Sequence, residues 1–127
     1  MTQAGDIRIG AVSLDCPDPP ALGEFYANVL GLEVMFSSEN FVALRGGAVL
    51  LTFQRVADHR PPTWPEGAVP KQLHLELAVS DLDGQEARIL ALGATKADAQ
   101  PNPDGWRVLL DPAGHPFCIT NMIPDLS

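Results

Sequence analysis

Apolar residues recur along two stretches with the spacing of a helix, and along several others with the spacing of a strand. Leu22, Phe25, Tyr26, Val29 and Leu30 fall at i, i+3, i+4, i+7 and i+8, one stripe of an α-helix. Asp18 stands where a side chain caps a helix start, and Pro19 and Pro20 sit in the first turn, where a missing amide costs nothing. Gly31 follows as the left-handed terminator. A second helix is predicted from Ser80, whose hydroxyl and Asp83 three residues on make a capping box. Leu82, Ile89 and Leu90 form its stripe, Ala87 and Ala91 lie beside it, and Gly93 ends it.

Strand patterns surround both helices. Ile7 to Asp15 is mostly apolar, and Leu73 to Val79 alternates with period two. Shorter candidates are Glu33–Ser37, Phe41–Leu44, Val49–Gln54, Thr95–Asp98, Arg107–Leu110 and Phe117–Thr120. Gly46-Gly47 and Asp111-Pro112-Ala113-Gly114 are turn signals that join hairpins. The stretch 57–71, with four prolines and no periodicity, reads as a connector between two halves of like design. Each half runs strand, helix, three strands, and the helix-ending glycines Gly31 and Gly93 lie 62 residues apart. The first strands align better at an offset of 63, which predicts an internal βαβββ repeat.

Composition then narrows the function classes. The 127 residues suit one domain, and 46% hydrophobic with 19% charged residues is a globular balance. Sixteen acids against eight bases give a net charge of −8. No basic face is available to replace counterions on nucleic acid or to meet an anionic membrane. No stretch reaches the roughly 20 apolar residues of a membrane span. Residues 1–10 lack the apolar run of a secretory signal, so a cytoplasmic protein is expected. Cys16 and Cys118 lie at opposite ends of the chain, which reads as two reduced thiols.

Asp18…Phe25-Tyr26…Val29-Leu30-Gly31-Leu32 in the first half resembles the vicinal oxygen chelate superfamily, the group of glyoxalases, bleomycin-resistance proteins and extradiol dioxygenases. In the second half the likeness is carried by Leu73-His74-Leu75-Glu76-Leu77-Ala78-Val79, Leu92-Gly93-Ala94 and Asp111-Pro112-Ala113-Gly114-His115-Pro116-Phe117. It covers nearly the whole chain and is nearest to small glyoxalase-like domain proteins. The resemblance implies an α+β fold of two βαβββ modules, their mixed sheets cupped around a central cavity and their helices on the outer faces. One domain is expected over residues 1–127, with modules 7–54 and 73–120 joined by the connector 57–71. Relatives of this length commonly pair, so a homodimer is expected.

Strand alternation places candidate residues within that frame. Leu73, Leu75, Leu77 and Val79 share the face suited to packing under a helix, whereas His74, Glu76 and Ala78 share the other. In the first half Ile9, Ala11, Ser13 and Asp15 point inward, giving an acidic, polar floor with Ser13 and Asp15 as ligand-binding candidates. His74 is either a histidine satisfied by its neighbours or, with Glu76 on the same face, half of an acid–base pair. Trp106 opens a strand after a turn, and Trp64 sits among prolines in the connector; either ring can stack on a flat guest or cover a core edge.

Metal-using members of the superfamily place one ligand on the first and one on the last strand of each module. His74 matches one such position. Its first-half counterpart is Ala11, the last-strand position of the second half is Cys118, and that of the first falls on Leu50 or Leu51, with Gln54 beyond. Gln54 and Cys118 are therefore taken as ligand-binding residues, and no metal and no cofactor are expected. His74 with Cys118 supplies two donors, short of the three of a catalytic zinc. The leading expectation is a binding protein for a metabolite or drug. The alternative is a lyase, isomerase or dioxygenase using His74 and Glu76 as catalytic groups. A third reading, an interaction module with no small ligand, would show a cavity filled by its own side chains and no pocket above about 300 Å³.

Overall fold

The computed structural model describes residues 4–124; the reading of residues 1–3 as part of a leaderless N-terminus lies outside them. The chain forms two compact units, Met1–His59 and Arg60–Ser127.

In the first unit a 3-10 turn (Ala4–Asp6) precedes β1 (Ala11–Cys16), α1 (Pro19–Leu30), β2 (Glu33–Ser37), β3 (Phe41–Arg45) and β4 (Leu50–Arg55). The sheet order is β1-β4-β3-β2, with β1 parallel to β4 and the other pairs antiparallel. The predicted caps form: the Asp18 carboxylate accepts from the Ala21 amide, and Gly31 is left-handed at φ 67°. Leu22, Phe25, Tyr26 and Val29 are buried as the stripe requires, but Leu30 is 39% exposed. The ring of Tyr26 stacks on that of Phe53, centroids 5.7 Å apart. Helix and sheet approach closely at Gly23, where an added Cβ would stand 2.7 Å from Val42 Cγ1. The first strand is shorter than expected: Ile7 to Gly10 stay outside it and Ile9 is 71% exposed. Its partner β4 begins at Leu50, opposite Ala11, so earlier residues have no ladder to join.

The second unit repeats the order with β5 (Glu76–Ala78), α2 (Leu82–Ala91), β6 (Thr95–Lys96), β7 (Trp106–Leu110) and β8 (Pro116–Thr120), arranged β5-β8-β7-β6. Here β5 is parallel to β8 and the remaining pairs are antiparallel. The expected strand 73–79 shrinks to three residues, and Leu73 is 89% exposed rather than packed under the helix. Pro116 explains the loss. The Cys118 amide donates to the Leu75 carbonyl at 2.9 Å. The next rung of a parallel ladder would need an amide at 116, which proline lacks.

Two further expectations are corrected. The cap of α2 is Asp81, not Ser80: its carboxylate accepts from the Gly84 amide at 2.9 Å, a charged acceptor against the positive end of the helix. Ala87 and Ala91 are exposed, leaving Leu82 and Ile89 as the buried stripe. Strand β6 stops at Lys96 as the Gln100 side chain takes over: its amide donates to the Ala97 and Val108 carbonyls and accepts from the Val108 amide. The Asp111–Gly114 turn forms, with the Asp111 carboxylate accepting from the amides of Ala113 and His115. No disulfide joins Cys16 and Cys118, both of which are buried. No helix among the described residues is long and apolar enough to cross a membrane.

Candidate functional site

On a pleated sheet, residues paired across neighbouring strands point the same way. Glu76 pairs with Cys118 across β5 and β8, and Cys118 with Val108 across β8 and β7. These three side chains therefore stand in one row. The next row along the sheet holds Ala78, Thr120 and Trp106. Arg107, one residue on, faces the other way and binds Asp83 near the start of α2 at 2.7 Å. The row of Glu76 thus lies on the face away from the helix.

His74 precedes β5 by two residues and reaches the same face. One donor atom from each of His74, Glu76 and Cys118 lies within 4.8 Å of the other two. Two indole rings border the group: Trp64 and Trp106 both pack on the buried cluster of Ala97, Val108 and Cys118. The Lys71 ammonium sits 5.2 Å from the centroid of the Trp64 ring, a cation–π contact. Together these side chains, with Pro116, line a cavity of about 280 Å³ built wholly from the second unit.

The thiol and the two groups beside it differ in exposure. His74 and Glu76 are exposed, whereas Cys118 is 6% exposed. Burial pushes the Cys118 thiol up from its ordinary range, the Glu76 carboxylate adds to the shift, and Lys71 opposes it. The site therefore combines a neutral thiol, an imidazole, a carboxylate and an ammonium between two aromatic faces.

Of the residues expected to carry function, the structure brings His74, Glu76, Trp106 and Cys118 together. Ser13, Asp15 and Gln54 share the open face of the first sheet, Asp15 directly opposite Gln54 and Ser13 opposite Thr52, all three exposed. The cavity of the second unit is built without them. A broader depression of about 470 Å³ in the first unit, lined by Arg8, Arg45 and the Gly46-Gly47 loop, contains, of the positions considered above, Ala11 and Leu50. Lys71 was not among the candidates, because the strand alternation used to find His74 and Glu76 does not extend to it. One equivalence is corrected: Ser13 pairs with Thr52 as Glu76 pairs with Cys118, so the first-half counterpart of Cys118 is Thr52, not Leu50 or Leu51.

Residues 11–120 match the sequence profile of the glyoxalase-like domain. The chain belongs to that family. No curated protein matches the sequence of this glyoxalase-like chain. Among solved structures, a glyoxalase/bleomycin resistance protein/dioxygenase family enzyme from Burkholderia phytofirmans PsJN is 23% identical, with a TM-score of 0.71 over 92% of this chain and 100% of its own. Lactoylglutathione lyase from Agrobacterium tumefaciens is 20% identical, with a TM-score of 0.58 over 89% and 92% of the two chains. The bleomycin-binding protein of bleomycin-producing Streptomyces verticillus, solved with copper(II)-bleomycin, is 21% identical, with a TM-score of 0.57 over 94% and 98%. At these identities the likeness is one of fold.

The four-ligand set that the superfamily resemblance implies does not fit this glyoxalase-like chain. Its first half offers Ala11, which has no donor atom, and Thr52, whose hydroxyl is a poor ligand for a divalent ion. Its second half offers His74 and, in place of a carboxylate, Cys118.

Proposed function

We propose that this glyoxalase-like protein binds a small, flat, cationic organic molecule, a metabolite or a drug, in the cavity of its second unit. The observation that carries the reading is the lining: two part-exposed indole rings flank an open space whose wall holds an exposed carboxylate. Planar guests stack on such rings, and Glu76 together with the net charge of −8 favours a positive one. At about 280 Å³ the space lies just under the usual range of ligand sites, about 300–1,000 Å³, which limits the guest within this unit to fragment size. By volume alone that space falls on the side expected of an interaction module; the binding reading rests instead on the polar side chains of His74, Glu76 and Lys71 that border it.

Both tryptophans of the chain line the cavity, so its whole indole fluorescence reports on a guest there. Titration with a panel of cationic aromatic compounds is expected to quench that emission. Trp106→Ala should weaken the best binder about two- to tenfold, the equivalent of one stacked pair. Unchanged emission across the panel would overturn the reading. A second reading, proton transfer by His74 and Glu76 in a lyase, isomerase or dioxygenase, is favoured by the proximity of their donor atoms. Recovery of the bound guest chemically unchanged after prolonged incubation decides for the binder; a converted product decides for the enzyme.

A further inference from the structure

We infer that His74, Glu76 and Cys118 form a binding site for a thiophilic divalent cation of the zinc class, contained in one sheet, with the remaining coordination position open to the cavity. The superfamily expectation of a site drawn from both halves fails on Ala11 and Thr52. A different set takes its place, because Glu76 stands in the same row as Cys118 and adds a third donor to the two that the sequence pattern offered. One imidazole nitrogen, one carboxylate oxygen and one sulfur lie mutually within 4.8 Å. A tetrahedral ion with bonds of about 2.0–2.3 Å holds its donors about 3.3–3.8 Å apart. Closing that gap takes a movement of about 1 Å, within the reach of rotations about the side-chain bonds of His74 and Glu76, which are exposed.

The kind of donor selects the kind of ion. A thiolate disfavours magnesium and calcium, and a mixed nitrogen, oxygen and sulfur set suits zinc or cobalt. Three protein ligands with one open position is the arrangement of catalytic zinc sites. Cys118 is fixed between β5 and β7, so the sulfur is the anchor and the exposed pair closes on it. The titratable groups facing the site are Glu76, His74 and Lys71, and the Lys71 side chain lies against the Trp64 ring. Binding requires the neutral thiol to lose its proton, so uptake of the ion releases acid and tightens as pH rises.

The site shares both the cavity and the Glu76 carboxylate with the proposed guest, so a bound ion and a cationic guest exclude one another there, and each is tested on protein free of the other. The test is titration of the chelator-stripped full chain with cobalt(II) alone. We expect one equivalent to bind with a thiolate-to-cobalt charge-transfer absorption that zinc abolishes by displacement. Cys118→Ser should lose that absorption and Cys16→Ser should keep it. His74→Ala and Glu76→Gln should each weaken affinity by about 100-fold or more, at least the upper end of what loss of an outer-shell partner costs. Both are exposed positions, so these variants decide the question even where Cys118→Ser folds poorly. Absence of the charge-transfer absorption, or unaltered affinity in either variant, would sink the assignment. Stripped protein that still binds aromatic guests but takes up no cobalt overturns the ion site alone; the reverse overturns the guest site alone.

Discussion

The two sheets share a topology and differ at corresponding rungs. On the first, the parallel rung is Ser13 opposite Thr52, two hydroxyls; on the second it is Glu76 opposite Cys118, a carboxylate beside a thiol. Beneath the helices the contrast runs the other way. The first unit buries stacked aromatic rings, Tyr26 on Phe53, both 0% exposed, with α1 drawn down at Gly23. The second buries Phe117 beside aliphatic Leu82, Ile89, Leu109 and Ile119 under α2 and ties its helix to β7 through Asp83 and Arg107. A duplicated framework can therefore keep its ladder while one copy concentrates packing and the other concentrates titratable chemistry.

The sharpest way to break this contrast is to remove the ring that stacks on Tyr26. Phe53→Ala should lower stability by about 3–5 kcal/mol, measured by denaturant unfolding. A loss under about 1 kcal/mol would show the aromatic stack to be dispensable and the two halves alike in packing. A smaller effect separates the two helix starts. Asp81→Ala should cost about 1 kcal/mol, as should Asp18→Ala, whereas Ser80→Ala should stay within about 0.5 kcal/mol. Equal losses at Ser80 and Asp81 would return the second cap to the serine.

The mildest test reads the thiol itself. Alkylation of Cys118 should accelerate with pH along a profile displaced to the alkaline side of an ordinary thiol, because burial and then Glu76 disfavour the thiolate. Glu76→Gln removes a negative neighbour and should move the profile back toward lower pH, whereas Lys71→Ala should move it further up. The sign for stability follows from linkage. Where the folded thiol holds its proton and the unfolded one does not, stability falls as pH rises through that alkaline interval. A profile indifferent to both substitutions would mean that neither charge reaches the sulfur.

The topology was legible because each helix carries its own start and stop signals and because the halves repeat. Asp18, Gly31 and the apolar stripe between them act locally, and no distant contact is needed to read them. Four cavity residues were legible as well: alternation set His74 and Glu76 on one face, a turn placed Trp106 at a strand start, and Cys118 fell at a recognisable last-strand position. What escaped depends on pairing between distant segments. The register that makes Thr52 the partner of Ser13 is set by β1 lying against β4, and a run such as Leu50-Leu51-Thr52 does not announce it. Lys71 escaped because the chain around it has left the ladder, and period two means nothing there. Alternation set Ser13 and Asp15 on one face, where Gln54 stands opposite Asp15, but periodicity distinguishes faces without saying which of them encloses space.

Pro116 gives the second unit an asymmetry of restraint. A ring that closes on its own nitrogen cannot hold the chain beside it, so the segment from Lys71 to His74 approaches the sheet untethered by the rung it would otherwise share. Sulfur at 118 is clamped on both sides; the imidazole hangs from a strand whose root was cut short. Capture of the proposed ion would take an exposed arm closing onto a fixed post, and one imino acid sets how long that arm is.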